Sequence, residues 1–221
     1  MKKRTWIAAG LAIAVVGGGA VAWAQYRNIE KPAFEVVTQS EDFEVREYAP
    51  MIVAEVTHAG PRSEALKNGF RRLAAYIFAQ DRPGAEGNAE QGEEIAMTSP
   101  VMLDQTQEIA MTSPVIQDGT SGTDADGAWR TRFVMPSQYT LETLPQTPDD
   151  ITLTEVPGRR MAAVRFSGSG ASSDLEREEA RLRAWMVDNS LEATGSAEYA
   201  FYDAPMVPAP LRRNEVMIPV E

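Results

Sequence analysis

The stretch FEVREYAPMIVAEVTHAG, residues 43–60, returns in altered form 108 residues later as ITLTEVPGRRMAAVRFSG, residues 151–168. The two blocks align without a gap, and both end in glycine. Each block contains two runs rich in strand-forming residues, separated by a turn at Ala49-Pro50 or Pro157-Gly158. We therefore expect two β-hairpins, one in each half of an internally duplicated domain.

A helix is predicted after each hairpin. The first follows Pro61, and its apolar positions, which recur at helical spacing, are Leu66, Phe70, Leu73 and Ile77. The second follows Gly170 and ends near Asn189, with apolar positions at Leu175, Leu182, Trp185 and Met186. Ser173 and Glu176 have the spacing of a capping box at the start of this second helix.

A second, shorter repeat follows the first helix. The octapeptide EIAMTSPV occupies residues 94–101 and recurs unchanged at residues 108–115. Each copy predicts a strand of about four residues that ends where the proline removes a backbone donor. Met97 and Met111 occupy equivalent places in the two copies, where they are expected to line an apolar pocket.

These elements predict an α+β fold, in which a distorted antiparallel β-barrel carries two flanking helices and has two pseudo-twofold halves of the βαββ type. The globular domain is expected to span residues 34–221. Further strands are predicted at residues 130–135, 199–202 and 214–220. Two segments rich in Gly, Asp and Glu are expected to be loops, at residues 81–92 and 117–127.

The first 24 residues have the pattern of a targeting segment. A basic start is followed by 19 uncharged residues, Trp6 to Ala24, which would form a helix about 28 Å long. This segment indicates either an uncleaved membrane anchor or a signal peptide cut at Ala24-Gln25, with residues 25–33 as a tether. In both cases the domain is exported to the periplasm, and the segment is its contact with the membrane.

Charge and composition exclude several classes of function. The net charge changes from −11 to −14 when Lys2, Lys3 and Arg4 of the leader are set aside, which argues against nucleic-acid binding. Cysteine is absent, so thiol catalysis and thiolate metal sites are excluded. His58 is the one histidine, which excludes a cluster of several histidines around a metal.

Four separated blocks resemble the SOUL heme-binding family, and together they extend over most of residues 34–221. They are residues 43–50, 69–77, the octapeptide ending in Val101, and residues 213–216. The resemblance implies a distorted β-barrel with two helices and an internal duplication. It also implies non-covalent binding of heme or another porphyrin.

The resemblance implies a site beside the first helix. One branch of the family has a proposed axial histidine at the position held here by Glu47, so this chain is more similar to the branch that binds heme in an apolar groove. The matching groove residues are Leu66, Phe70 and Leu73. Arg71 or Arg72 is expected near the heme propionates, since guanidinium groups pair well with carboxylates.

Axial ligands to iron are scarce in this sequence. His58 offers the one imidazole and shares a strand face with apolar neighbours. Met97, Met111 and Tyr48 are weaker candidates, each with an ordinary packing role as its alternative.

The sequence therefore predicts a heme- or tetrapyrrole-binding protein of the cell envelope that carries or buffers its ligand and has no catalytic residues. One alternative is a binding module for another apolar small molecule, as in effector-binding barrels. A second is a small hydrolase or isomerase that uses Glu47 or Tyr48, and a third is a structural protein with an empty barrel.

Overall fold

The computed structural model describes residues 30–81, 83, 95, 98–105, 128–203 and 207–221. Within these residues, nine strands form a single antiparallel sheet. The strands are β1 (Phe34–Ser40), β2 (Phe43–Tyr48), β3 (Met51–Ala59), β4 (Val101–Gln105), β5 (Ala128–Val134), β6 (Thr152–Val156), β7 (Arg159–Ser167), β8 (Glu198–Phe201) and β9 (Arg213–Pro219). The helices are α1 (Arg62–Ile77) and α2 (Ser172–Asp188), and a 3₁₀ turn covers Ala209–Leu211.

The strand order is β1-β2-β7-β9-β8-β4-β5-β3-β6, and every neighbouring pair is antiparallel. The α+β class is therefore confirmed, with two helices on a curled antiparallel sheet. After β1, both halves of the chain have the element order β-β-α-β-β. If β2, β3, β4 and β5 are exchanged with β6, β7, β8 and β9, in that order, the strand order from β2 to β6 becomes its own reverse. A duplication at the level of sequence stays a prediction.

Both faces of the sheet are buried. On β3, Ala54 and Val56 pack with α1, whereas Val53 between them points to the opposite face. Both helices lie on one face, because Ala65 of α1 and Leu175 of α2 share one apolar cluster. We call this side the helix face, and the other side, which carries Val53, the opposite face.

The helix limits agree with the sequence predictions, but the two predicted hairpins are wrong. β2 pairs with β7 and β3 pairs with β6, whereas β2 does not pair with β3, nor β6 with β7, in the described residues. Other local predictions also differ from the structure. In α1, Leu73 and Ile77 of the predicted apolar stripe are buried together with Ala65, Gly69 and Tyr76, but Leu66 is only partly buried against the core and Phe70 is exposed. The first octapeptide copy is not a strand where it is described, since the strand starts at Val101, after the proline. The predicted capping box is absent, because the N-cap residue of α2 is Ala171 and no side-chain hydrogen bond caps the start of the helix.

Neither α1 nor α2, the two α-helices of the described residues, is long and apolar enough to cross a membrane. The predicted leader, residues 1–24, lies outside the described residues. The second octapeptide copy, which includes Met111, also lies outside them, as does Met97 of the first copy.

Candidate functional site

The predicted groove residues of α1 fall into two groups. Leu73 is fully buried in the apolar cluster between α1 and β3, so it packs the core and is closed to a ligand. Leu66 is half-buried, and Phe70 is 38% exposed, with its ring edge-on to Phe133 at a centroid distance of 5.4 Å. The surface that α1 offers to an apolar ligand is therefore the flank of Leu66 and Phe70.

The two arginines predicted near the propionates differ in whether a carboxylate of the protein already pairs with them. Arg72 donates from Nε and Nη2 to the two carboxylate oxygens of Asp150, at 2.5 Å each, and its Nη1 lies 3.0 Å from Asp81. These hydrogen bonds hold the pKa of Asp150 below its usual value. Arg72 is thus engaged in fixing α1 to the segment before β6, whereas Arg71 is exposed.

His58 lies on the helix face of β3, as its alternation with Ala54 and Val56 predicts. It is half-buried and pairs across the strands with Trp129 of β5. Its Nδ1 atom is buried and has no hydrogen-bond partner in the described part of the chain. His58 is therefore a half-buried imidazole with an unused ring nitrogen.

Arg62, which the sequence interpretation missed, begins α1 and is only 5% exposed. Its guanidinium carbon lies 5.5 Å from the ring centroid of Trp129 and 5.1 Å from that of Tyr199. The available signal was a basic residue directly after Pro61, at a predicted helix start where acidic residues are favoured. Arg62, Leu66 and Phe70 are spaced four residues apart, so they follow one flank of α1.

The opposite face of the sheet carries a second cluster that sequence reasoning missed. Arg46 donates to both carboxylate oxygens of Glu215, at 2.7 and 3.0 Å, and Arg213 and Tyr202 also donate to Glu215. Tyr48 accepts a hydrogen bond from Arg46 and packs in the core of this face. Tyr48 therefore lies away from the α1 flank, which removes it as a ligand there.

The same face continues the pattern around Glu198, which lies within 3.2 Å of Arg132 and 2.5 Å of Arg159. Burial alone would raise the pKa of Glu198, but these two guanidinium groups hold it below the usual value. The pKa of Glu215 is lowered in the same way by Arg46 and Arg213, against the effect of burial. The clusters are charged ion pairs, and we interpret them as structural.

The described residues do not provide a site for the alternative functions, catalysis or metal binding. Glu47 is exposed on β2, and Thr98 and Ser99 donate to the backbone oxygens of Val134 and Tyr202. In the part of the chain that the structure describes, no group of three or more His, Cys, Asp or Glu side chains is placed to hold a metal ion.

Comparison with known proteins agrees with the fold. The sequence matches the family model described as SOUL heme-binding protein over residues 29–219. Among curated proteins, none matches this chain.

Two solved structures illustrate the structural likeness. The C-terminal domain of EcmrR superposes with a TM-score of 0.57 at 13% identity, over 81% of this chain and 96% of that domain. A hydrolase from Listeria innocua superposes with a TM-score of 0.52 at 10% identity, over 84% of this chain and 94% of the hydrolase. At such low identity the likeness concerns the fold alone.

Proposed function

Because this chain belongs to the SOUL heme-binding protein family, we propose that it holds heme or a related tetrapyrrole non-covalently on the flank of α1 that presents Leu66 and Phe70. The exposed ring of Phe70, beside the half-buried Leu66, is the observation that supports this location. A macrocycle that covers such a surface gains about 25 cal/mol for each Å² of apolar area removed from water.

The scarcity of iron ligands supports a role in carriage or buffering of heme. His58 is our candidate axial ligand, because it is half-buried and its Nδ1 atom lacks a hydrogen-bond partner among the described residues. Heme, when bound, supplies an iron centre whose reactivity depends on its axial ligands. A single protein ligand allows exchange of heme more readily than two do, which suits carriage better than electron transfer.

We place this function in the cell envelope. The proposal depends on the basic start at Lys2 and the apolar segment that ends at Ala24, which has the length of a membrane anchor. The membrane contact is assigned to this leader alone, with the SOUL domain exported. The net charge of −11 argues against nucleic acid as a partner.

The test is a hemin titration of the full chain in a mild detergent, followed by the change in the Soret band. Phe70→Ala is expected to weaken binding about tenfold, because it removes a large apolar contact. Val187→Ala in the same detergent is the matched control, since Val187 is also an exposed apolar residue on a helix, 76% exposed on α2.

Equal affinity of the Phe70→Ala and Val187→Ala variants would move the ligand away from this flank. No saturable Soret change in the wild-type chain would reject heme binding itself. Binding of lipophilic cations in the absence of hemin binding would favour a module for another apolar molecule.

The role of His58 is tested separately. His58→Ala is expected to bind hemin with a shifted Soret maximum, since the imidazole nitrogen would no longer reach the iron. An unchanged spectrum would exclude His58 as the axial ligand while leaving the apolar site in place.

A further inference from the structure

We propose that Arg62 is the receptor for a carboxylate group of the bound ligand, at the N-terminal end of the α1 flank that carries Leu66 and Phe70. The inference rests on the proposed function in assigning that carboxylate to a tetrapyrrole propionate. It replaces the prediction that Arg71 or Arg72 has this role.

Arg62 is a buried cation without a counterion in the described residues. Its guanidinium is hydrogen-bonded to the Tyr199 hydroxyl, but its Nη2 atom is buried without a hydrogen-bond partner there, and no carboxylate of that part of the chain forms an ion pair with it. By contrast, the buried Arg46 has Glu215 at 2.7 Å, and Arg132 has Asp104 at 3.1 Å. Burial of a cation without a carboxylate partner is unfavourable, so Arg62 gains more from an incoming anion than either of the others.

The start of α1 also favours an anion. The helix is 16 residues long, and Pro61 precedes it without a side-chain cap, so its first N–H groups present partial positive charge. Arg62, the first residue of α1, adds a full positive charge at this end, which is unfavourable without an anion nearby. The acidic residue of the first turn is Glu64, which is exposed.

Trp129 supplies a further unused donor. Its indole Nε1 is buried without a hydrogen-bond partner in the described chain, and its ring lies under the Arg62 guanidinium. The second ring under Arg62 is Tyr199, whose hydroxyl donates to Glu179 at 2.9 Å. Glu179 is itself paired with Arg183 at 2.8 Å, so its charge is already matched by a cation of α2.

The chemistry selects a carboxylate on an apolar body. A guanidinium fork and an indole N–H are donors only, which suits the two acceptor oxygens of a carboxylate. Phe70 lies eight residues beyond Arg62, about 12 Å along the helix axis. The matching ligand therefore has an apolar ring that covers Leu66 and Phe70 and an acidic substituent that reaches Arg62. A tetrapyrrole with propionates has both features.

Hemin and its dimethyl ester, in which both propionates are capped, provide the first test on the full chain in detergent. We expect the wild type to bind hemin at least tenfold more tightly than the ester. Arg62→Gln should lose this preference, binding hemin about as weakly as the ester. Arg71→Gln, a change of an exposed arginine on the same helix, is the matched control and should keep the preference.

Retention of the hemin preference in Arg62→Gln would overturn the inference, as would equal wild-type affinity for hemin and ester. A failure of the wild type to bind either would reject the proposed function and leave the carboxylate site to a second measurement. In that measurement, 2-naphthoate should raise the Tm of the wild type and of Arg71→Gln, but not that of Arg62→Gln. No rise in any of the three proteins would overturn the carboxylate site itself.

A stability measurement without ligand separates this role from a structural one. Arg62→Gln should change the Tm little, because loss of the contacts with the Trp129 and Tyr199 rings is offset by removal of a buried charge without a carboxylate partner. A marked fall in Tm would indicate that Arg62 has a carboxylate partner in the folded protein, which would contradict the inference.

Discussion

At the scale of single residues, the ion pair between Arg46 and Glu215 shows how charge is held inside this protein. Arg46 is 2% exposed and Glu215 is fully buried, and they lie 169 residues apart in the chain. Arg213 also donates to Glu215, at 2.6 Å, so the carboxylate faces two guanidinium groups. Removal of the negative charge would leave both arginines without their main partner.

Glu215→Gln is therefore expected to lower the free energy of unfolding by about 3 kcal/mol, the usual cost of breaking a buried ion pair from one side. Urea denaturation measures the change. Arg183→Gln is the control, since it breaks an exposed pair with Glu179 one helical turn away and should cost about 0.5 kcal/mol or less. Similar losses in both variants would contradict the structural role of the buried pair.

The same carboxylates predict sensitivity to acid. The pKa values of Glu215 and Glu198 are lowered in the folded protein, whereas in the unfolded chain glutamate titrates near pH 4.3. Their contribution to stability is present above about pH 4.3 and is lost as the pH falls towards the folded-state pKa values. Urea denaturation at about pH 7 and about pH 3.5 should show this loss. Glu215→Gln should lose less than the wild type, and an equal loss would exclude Glu215 as a source.

At the scale of secondary structure, the rotation of α1 is set by a close contact with β5. A Cβ atom on Gly69 would lie 2.2 Å from the Thr131 hydroxyl oxygen, so only glycine permits this approach. The apolar period of the sequence placed Leu66, Phe70, Leu73 and Ile77 on one stripe of α1. With Gly69 against Thr131, Leu73 and Ile77 are buried in the core, whereas Phe70 is left exposed for a ligand.

Gly69→Ala should therefore destabilise the protein, although alanine is the better helix former. Overpacking against the fully buried Thr131 costs about 1–3 kcal/mol, which exceeds or offsets the gain in helix propensity of about 1 kcal/mol. Asn68→Ala on the exposed side of α1 is the control and should leave stability unchanged or raised. Thermal unfolding compares the two, and greater stability of Gly69→Ala would show that α1 is not held at this distance.

At the scale of the whole molecule, the strand order places β7 and β9 in the interior of the sheet and β1 at an edge. β1 pairs with β2 alone, contains a register shift between Val36 and Thr38, and is largely exposed. β7 and β9 pair on both sides, and their central residues are buried. Stability is expected to rise from the edge to this centre.

Hydrogen exchange should show this gradient. The paired amides of β7 and β9 should exchange most slowly, near the rate of global unfolding, and those of β1 should exchange much faster. Mass spectrometry of peptides from the two regions measures the difference. Comparable protection of β1 and β9 would contradict the edge position of β1.

The sequence by itself determined the strand segments on either side of Ala49-Pro50 and Pro157-Gly158, the two helices and the α+β class. These depend on signals within a few residues, such as the strand breaks at the prolines and the apolar period of α2. The predicted pairing of β2 with β3 and of β6 with β7 was wrong, because pairing depends on strands that are distant in the chain. The same local rules assigned Leu73 to a ligand groove, whereas the structure buries it in the core.

Only the tertiary structure decided which residues are free to bind a ligand. Alternating charges such as Glu44 and Arg46 resemble a solvated strand face, yet the curled sheet buries Arg46 against Glu215. The sequence predicted Arg72 as a propionate contact, but in the structure Asp150 pairs with it. Arg62 became a candidate for that contact because it is buried without a carboxylate partner in the described chain. Periodicity is local along the chain, whereas burial and pairing depend on residues that meet only when the sheet closes.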